Sequence, residues 1–299
     1  MDGDVVCNDL YTAAKCLLEQ SFAILRVDCE THHALKDSWI AARVILSHAA
    51  DVTPQEQDAM LEKYRIIRDG ALLGYNRPSE SKVLFRALSV GGEPDHCQPW
   101  PDDFDGGALK TSSSLLMRHL HNLLLDCFQE VKKQVHMDDD DSSKTSGHCQ
   151  LPRKKRKIDT SGSDSIHHVH EQSFDSTHCP LDYFLYHNRS KGTNCSEHVD
   201  RGVLICISLT NVAGLEVASR KDDEWHCPEN VYTGREGVSN LICILSGDQL
   251  KNAVEAGDEV MNSYPGLNAC IHRVKNKLSG PRLSISYELR SSNIKKKKK

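Results

Sequence analysis

The sequence predicts a mainly β protein with a helical annex, and three observations carry that reading. Six short runs rich in β-branched, aliphatic and aromatic residues, LDYFLYH, GVLICISLT, GLEVA, NLICIL, NACIHRV and RLSISYEL, crowd the last third of the chain between turn residues. Helical periodicity is confined to the first 136 residues. Between the two regions the composition breaks abruptly. Strands of this length at this spacing suit an antiparallel sandwich or barrel.

DLYTAAKCLLE, residues 9–19, has apolar residues at helical spacing and leads into SFAILRV, a short strand. A second helix is expected from Ala34 to about Ser47. Thr53-Pro54-Gln55-Glu56 has the form of a capping box with proline at the first helical position, so a third should run from Pro54 to about Ile67. RDGALLGYNRPSES is turn-rich, and GGEPDHCQPWPDDFDGG has neither period. SSSLLMRHLHNLLLDCFQEVKKQV is the clearest amphipathic helix, with lysines toward the end where they favour the dipole. Residues 137–175 hold almost no aliphatic side chains and read as a disordered insert, an acidic half followed by a basic half. The expected organisation is therefore a helical region (1–136) packed on a β core (176–290), with the insert between them and a lysine-rich tail (291–299) to which no function is given.

Composition excludes several classes. A formal net charge of −5 over 299 residues argues against a general nucleic-acid binder. No apolar run reaches membrane-spanning length, and MDGDVVCNDL is unlike a secretory signal, so a soluble intracellular protein is expected. The 12 cysteines are scattered with no Cys-x-x-Cys, which suits reduced, buried thiols better than zinc or disulfides.

The chemistry concentrates in CSEHVDRGVLICISL, where His198 and Asp200 stand two residues apart ahead of a strand. A His-x-Asp pair alone is weak, because about one arises by accident in a chain this rich in both residues; His136-Met137-Asp138 is such a pair at a helix end. If the strand extends through CSEHVD, His198 and Asp200 point the same way and can bind one ion. A ferrous oxygenase site needs another histidine and leaves positions open for dioxygen and a cosubstrate. His272 of NACIHRV can supply it. Arg282 and Ser284, two apart in RLSISYEL, share a strand face beyond it.

This set, HVD, a distant histidine, then Arg-x-Ser ten residues on, resembles the plant-type 2-oxoglutarate- and Fe(II)-dependent dioxygenases related to isopenicillin N synthase. YFLYHNR, VAGLEV, LSGDQL and IHRVKN resemble further stretches of that family, and SFAILRV and LLGYNRPSESKVLF resemble its N-terminal region more faintly. The resemblance implies a double-stranded β-helix (jelly roll) core and iron held by His198, Asp200 and His272. It implies that Arg282 and Ser284 meet the distal carboxylate of 2-oxoglutarate and that Tyr186 stands beside them. A strand tyrosine is otherwise core packing. The activity implied is oxidation or hydroxylation of an unidentified substrate with release of succinate and CO2. Fe(II) and 2-oxoglutarate are the implied cofactors, with ascorbate as an optional auxiliary. A small molecule is the expected substrate and a protein the alternative. The excess length near VEAGDEVMNSYPG reads as a lid or a plain loop. The rival class is a non-catalytic jelly-roll binding module in the nucleus.

Two insert features stand apart. PRKKRKID, Pro152 to Asp159, suits the groove of a nuclear import receptor, so nuclear or shared nuclear and cytoplasmic localisation is expected; the alternative is a solvated run balancing DDDD. HHVH at 167–170, with His178 and Cys179 beyond it, reads as surface histidine rather than a metal site.

Overall fold

A computed structural model describes residues 6–68, 71–79, 81–102, 106–142, 177–188, 192–232, 234, 237–255, 267–277 and 280–291. Strand β1 (Val6–Cys7), helix α1 (Leu10–Gln20) and strand β2 (Phe22–Arg26) open the chain, followed by α2 (Cys29–Asp51) and α3 (Pro54–Tyr64). The capping box at Thr53 forms: its hydroxyl accepts from the Glu56 N–H while the Glu56 carboxylate accepts from the Thr53 N–H. Helix α3 stops at Tyr64, short of Ile67, because β3 (Arg65–Arg68) turns back to pair with β4 (Ala71–Ser79), which in turn pairs with β5 (Lys82–Val90). The turn residues of 68–81 hid this hairpin. Gly74 makes it possible: its φ is +80°, and a Cβ there would lie 1.6 Å from the Tyr64 carbonyl oxygen. The first 136 residues are thus not simply helical but contribute strands to the main sheet.

After β6 (Glu93–Pro94), helix α4 (Gly106–Ser142) runs on into the start of the acidic stretch. The His136-Met137-Asp138 pair lies on this helix. The rest of the insert, with PRKKRKID and HHVH, lies outside the described residues, as do VEAGDEVMNSYPG beyond Glu255 and the lysine tail. The β-rich region then comprises β7 (His178–Tyr186), β8 (Gly192–His198), β9 (Leu204–Thr210), β10 (Leu215–Ala218), β11 (Trp225–His226), a 3-10 turn (Pro228–Val231), β12 (Val238–Ser246), α5 (Leu250–Glu255), β13 (His272–Asn276) and β14 (Arg282–Leu289).

Two sheets face each other. The larger has ten strands, ordered β1-β2-β12-β9-β14-β7-β5-β4-β3 with β6 on β5; the smaller has four, ordered β11-β10-β13-β8. Alternate residues of the large sheet point in opposite directions. One face, with Tyr183, Ile285 and Tyr287, joins a core with Leu17, Leu35, Leu46, Leu120 and Phe128 of the helices. The opposite face supplies Ile205, Ile207, Leu241 and Cys243 to a second cluster, with Leu215 and Val217 of the small sheet. This is the jelly roll with external helices. No helix among the described residues is long and apolar enough to cross a membrane, and the cysteines they include are free thiols.

The small sheet is braced by Glu216 of β10. It accepts from Arg273 Nε at 2.8 Å and lies 2.9 Å from Lys277 Nζ and 3.1 Å from Lys275 Nζ, all on or beside β13. Burial alone would push this carboxyl up, but bonds from Lys277, Arg273 and Lys275 outweigh it and hold the group down at about 2. Its stabilisation is therefore complete above the ordinary value of 4.5 and lost as pH falls toward about 2. Glu216→Gln should cost about 2 kcal/mol at neutral pH by urea denaturation, with the difference from wild type shrinking at pH values below 4.5. A pH-independent difference would contradict this.

Candidate metal and cosubstrate site

His198 ends β8 and His272 begins β13, and the two are direct partners in the antiparallel register. Their rings tilt together with centroids 4.2 Å apart. Asp200 does not lie on the strand, as the alternation argument expected: β8 ends at His198 and Asp200 sits in the turn before β9. The turn nevertheless brings its carboxylate between the rings, with Oδ1 3.6 Å from His198 Nε2 and Oδ2 3.4 Å from His272 Nε2. The ligand-capable atoms of all three residues lie within 4.8 Å of one another.

Each imidazole is oriented through its other nitrogen. His198 Nδ1 is 2.7 Å from the Ser196 carbonyl and His272 Nδ1 is 3.3 Å from the Cys270 carbonyl. A carbonyl can only accept, so each Nδ1 carries a proton, and in the neutral ring Nε2 is left with its lone pair toward Asp200. Two imidazoles and one carboxylate converging in this way suit a divalent first-row metal. Cys195 Sγ lies 3.8 Å from His198 Nδ1; that contact lowers the thiol and, with the Ser196 carbonyl, raises His198 to about 9. A metal ion held there would take the place of the second proton of that ring. Burial would push the Asp200 carboxyl up, but His272 and His198 outweigh it and hold it below the ordinary range.

LSGDQL fixes the Asp200 turn. The N–H groups of Gly247, Asp248 and Gln249 donate to the carbonyls of Val203, Asp200 and Gly202 at 2.9–3.1 Å. Gly247 permits this closeness, since a Cβ there would lie 2.0 Å from the Gly202 carbonyl oxygen, and Gly202 in turn lets the turn pack on β14, where a Cβ would lie 2.5 Å from Glu288 Cγ.

A cavity of about 430 Å³ runs from these residues across the inner face of the large sheet. Its far end is a row of three partners in register, Lys82 on β5, Tyr186 on β7 and Arg282 on β14. The next row is Leu84, Phe184 and Ser284; the one after is Arg86, Asp182 and Ser286. Arg282 and Ser284 therefore do share the face the sequence predicts, and both are buried. Burial pushes the Tyr186 phenol up, so it stays a neutral hydroxyl.

Arg282 already has protein partners. Its Nε donates to the Val212 carbonyl at 3.1 Å and its Nη2 to Glu229 Oε1 at 2.7 Å. Both side chains of this ion pair are 1% exposed. Glu229, on the 3-10 turn, also accepts from the Leu215 N–H at 3.2 Å. Gly214 leaves room for the arginine, since a Cβ there would come 3.2 Å from Arg282 Cδ. One nitrogen, Nη1, is buried without a partner among the described residues. A buried donor left unmet costs about 1–3 kcal/mol, so an acceptor is the ligand group that fits. That donor beside the Tyr186 and Ser284 hydroxyls suits a carboxylate.

Glu229 was not anticipated from the sequence; it sits in DDEWHCPENV, where no period marks it. The bidentate pair of Arg86 with Asp182, at 2.6 and 2.7 Å in the cavity wall, was also missed. Alternation along β7 from Tyr186 to Asp182 does carry that second signal. Of the other candidates, His178 Nε2 faces Asp95 Oδ2 at 3.0 Å and Cys179 is buried.

The fold is shared with several solved structures of low sequence identity, dioxygenases among them. Among solved structures the chain resembles the rice dioxygenase for auxin oxidation at TM-score 0.57, with 16% identity over 94% of this chain and 77% of that one. It resembles a full-length Neurospora crassa protein solved in complex with α-ketoglutarate and 5-formyluracil at 0.59, with 15% identity over 95% and 78% of the respective chains. Arabidopsis thaliana dioxygenase for auxin oxidation 1, in its 2-oxoglutarate binary complex, follows at 0.56, with 12% identity over 94% and 87%. No protein-family model matches the chain, and no curated protein matches it.

Proposed function

We propose that this protein is an Fe(II)- and 2-oxoglutarate-dependent oxygenase acting on a small polar molecule. The observation that carries the reading is the convergence of two imidazole Nε2 atoms and one carboxylate at one end of the cavity that carries Arg282, Ser284 and Tyr186. His198, Asp200 and His272 would hold the ferrous ion, and Arg282, Ser284 and Tyr186 the distal carboxylate of 2-oxoglutarate. With both bound, the chemistry supplied is reduction of dioxygen coupled to decarboxylation, giving succinate, CO2 and an oxidised or hydroxylated product. The chain's own part is positioning. The Ser196 and Cys270 carbonyls fix the tautomer that turns each Nε2 inward, and Asp200 supplies the one anionic ligand. The neighbours solved with 2-oxoglutarate, α-ketoglutarate and 5-formyluracil support a cosubstrate and a small-molecule substrate of this kind. The Arg86–Asp182 pair in the wall favours a polar substrate body.

Asp200→Ala removes charge compensation as well as one bond, so it should weaken Mn(II) or Fe(II) binding by more than the roughly 10- to 100-fold typical of outer-shell changes. Asp138→Ala, at the other His-x-Asp, should leave metal affinity unchanged. Calorimetric titration under anaerobic conditions reads both; equal affinity in wild type and folded Asp200→Ala would remove this site from consideration.

We also propose nuclear entry through PRKKRKID. Replacing Lys154, Lys155 and Arg156 by alanine in a large fluorescent fusion should abolish nuclear accumulation. An unchanged distribution would leave the run as a solvated linker.

A further inference from the structure

The buried Glu229 raises a question about charge at the cosubstrate end of the cavity. A lone arginine would meet a carboxylate as a full cation, but here the guanidinium is already paired at 2.7 Å, and that pair is neutral as a unit. Hydrogen bonding from Nη1 and two hydroxyls can orient a carboxylate there, yet no net positive charge is left in that group to balance it. Lys82 stands in the same row, separated from Arg282 only by Tyr186 in the strand register. Its Nζ lies 4.3 Å from the Phe184 ring centroid and 5.4 Å from that of Tyr186, and the residue lines the cavity. Among the described residues no carboxylate pairs with it. Its charge therefore lacks a counterion at the place where an incoming carboxylate lacks a countercharge.

We propose that Lys82 is the cation that balances the distal carboxylate of the cosubstrate, while Arg282, neutralised by Glu229, orients it. The inference rests on the oxygenase reading above but adds a residue to it, and it makes Lys82 the element that selects a dicarboxylate over a monocarboxylate. The three positions then divide the work: Lys82 supplies charge, Arg282 Nη1 supplies direction, and the Tyr186 and Ser284 hydroxyls supply the remaining donors. Because β5 belongs to the N-terminal hairpin, that hairpin is part of the binding site rather than a covering layer.

The test compares 2-oxoglutarate with 2-oxobutyrate, which keeps the keto-acid end but lacks the distal carboxylate, by calorimetry on the Mn(II)-loaded full-length protein. Lys82→Met keeps the aliphatic stem against the two rings and removes the charge. It should weaken 2-oxoglutarate by about tenfold or more while leaving 2-oxobutyrate and Mn(II) unchanged, so the preference for the dicarboxylate collapses. Lys82→Arg should keep that preference. Adding Glu229→Gln to Lys82→Met should restore part of the 2-oxoglutarate affinity, because it releases the charge of Arg282. An unchanged preference in Lys82→Met, or an equal loss for both ligands, would overturn the role of Lys82. A wild-type protein that binds Mn(II) but not 2-oxoglutarate would overturn the oxygenase reading instead.

Discussion

The direct pairing of His198 with His272 across β8 and β13 is the constraint on which the site depends. Strand register in an antiparallel pair is all or nothing: a one-residue slip would send one imidazole to the opposite face. The bracing of β13 by Glu216 therefore has a consequence beyond stability, because Arg273, its partner, directly follows His272. The third side chain arrives by another route. Asp200 is held by the backbone of Gly247, Asp248 and Gln249 at the end of β12, so the large sheet positions the carboxylate while the small sheet positions the histidines. Separation of the sheets would disperse the three groups.

The other end of the cavity is governed by charge. Arg282 and Glu229 are removed from water together, and such a pair must be fully satisfied to be tolerated. Val212, Leu215 and the space left at Gly214 provide most of that, and the unpartnered Nη1 remains. The arginine is thereby fixed in direction but weakened as a charge. Among the described residues Lys82 has ring contacts with Phe184 and Tyr186 and no carboxylate partner. The two side chains stand on strands that flank β7, so the proposed charge and the proposed direction come from different strands of one sheet.

Much of this could be read from the residues. His198 and His272 fall at strand ends, and Arg282 alternates with Ser284 as period-two logic requires. Asp200 shows where that logic stops: the strand ends at His198, and convergence comes from a turn whose geometry depends on Gly202 and a distant segment. The hairpin of β4 and β5 is hard to see in the sequence because Gly74 and Pro78 imitate loop composition, while Lys82–Val90 is buried on both faces and lacks clean alternation. Glu229 gave no local signal, since a carboxylate in a polar segment is ordinarily solvated and only the folded chain buries it against Arg282. The Arg86–Asp182 pair joins positions 96 residues apart, a distance no local pattern spans.

The most direct measurement of the central claim is an anaerobic absorption titration of the Fe(II)-loaded protein with 2-oxoglutarate. Chelation of the ferrous ion by the keto-acid end should bring up a weak visible charge-transfer band that saturates at one equivalent and is absent with succinate. Fe(II) bound at His198, Asp200 and His272 with no such band at any 2-oxoglutarate concentration would contradict the account and leave a metal-binding jelly roll without this chemistry.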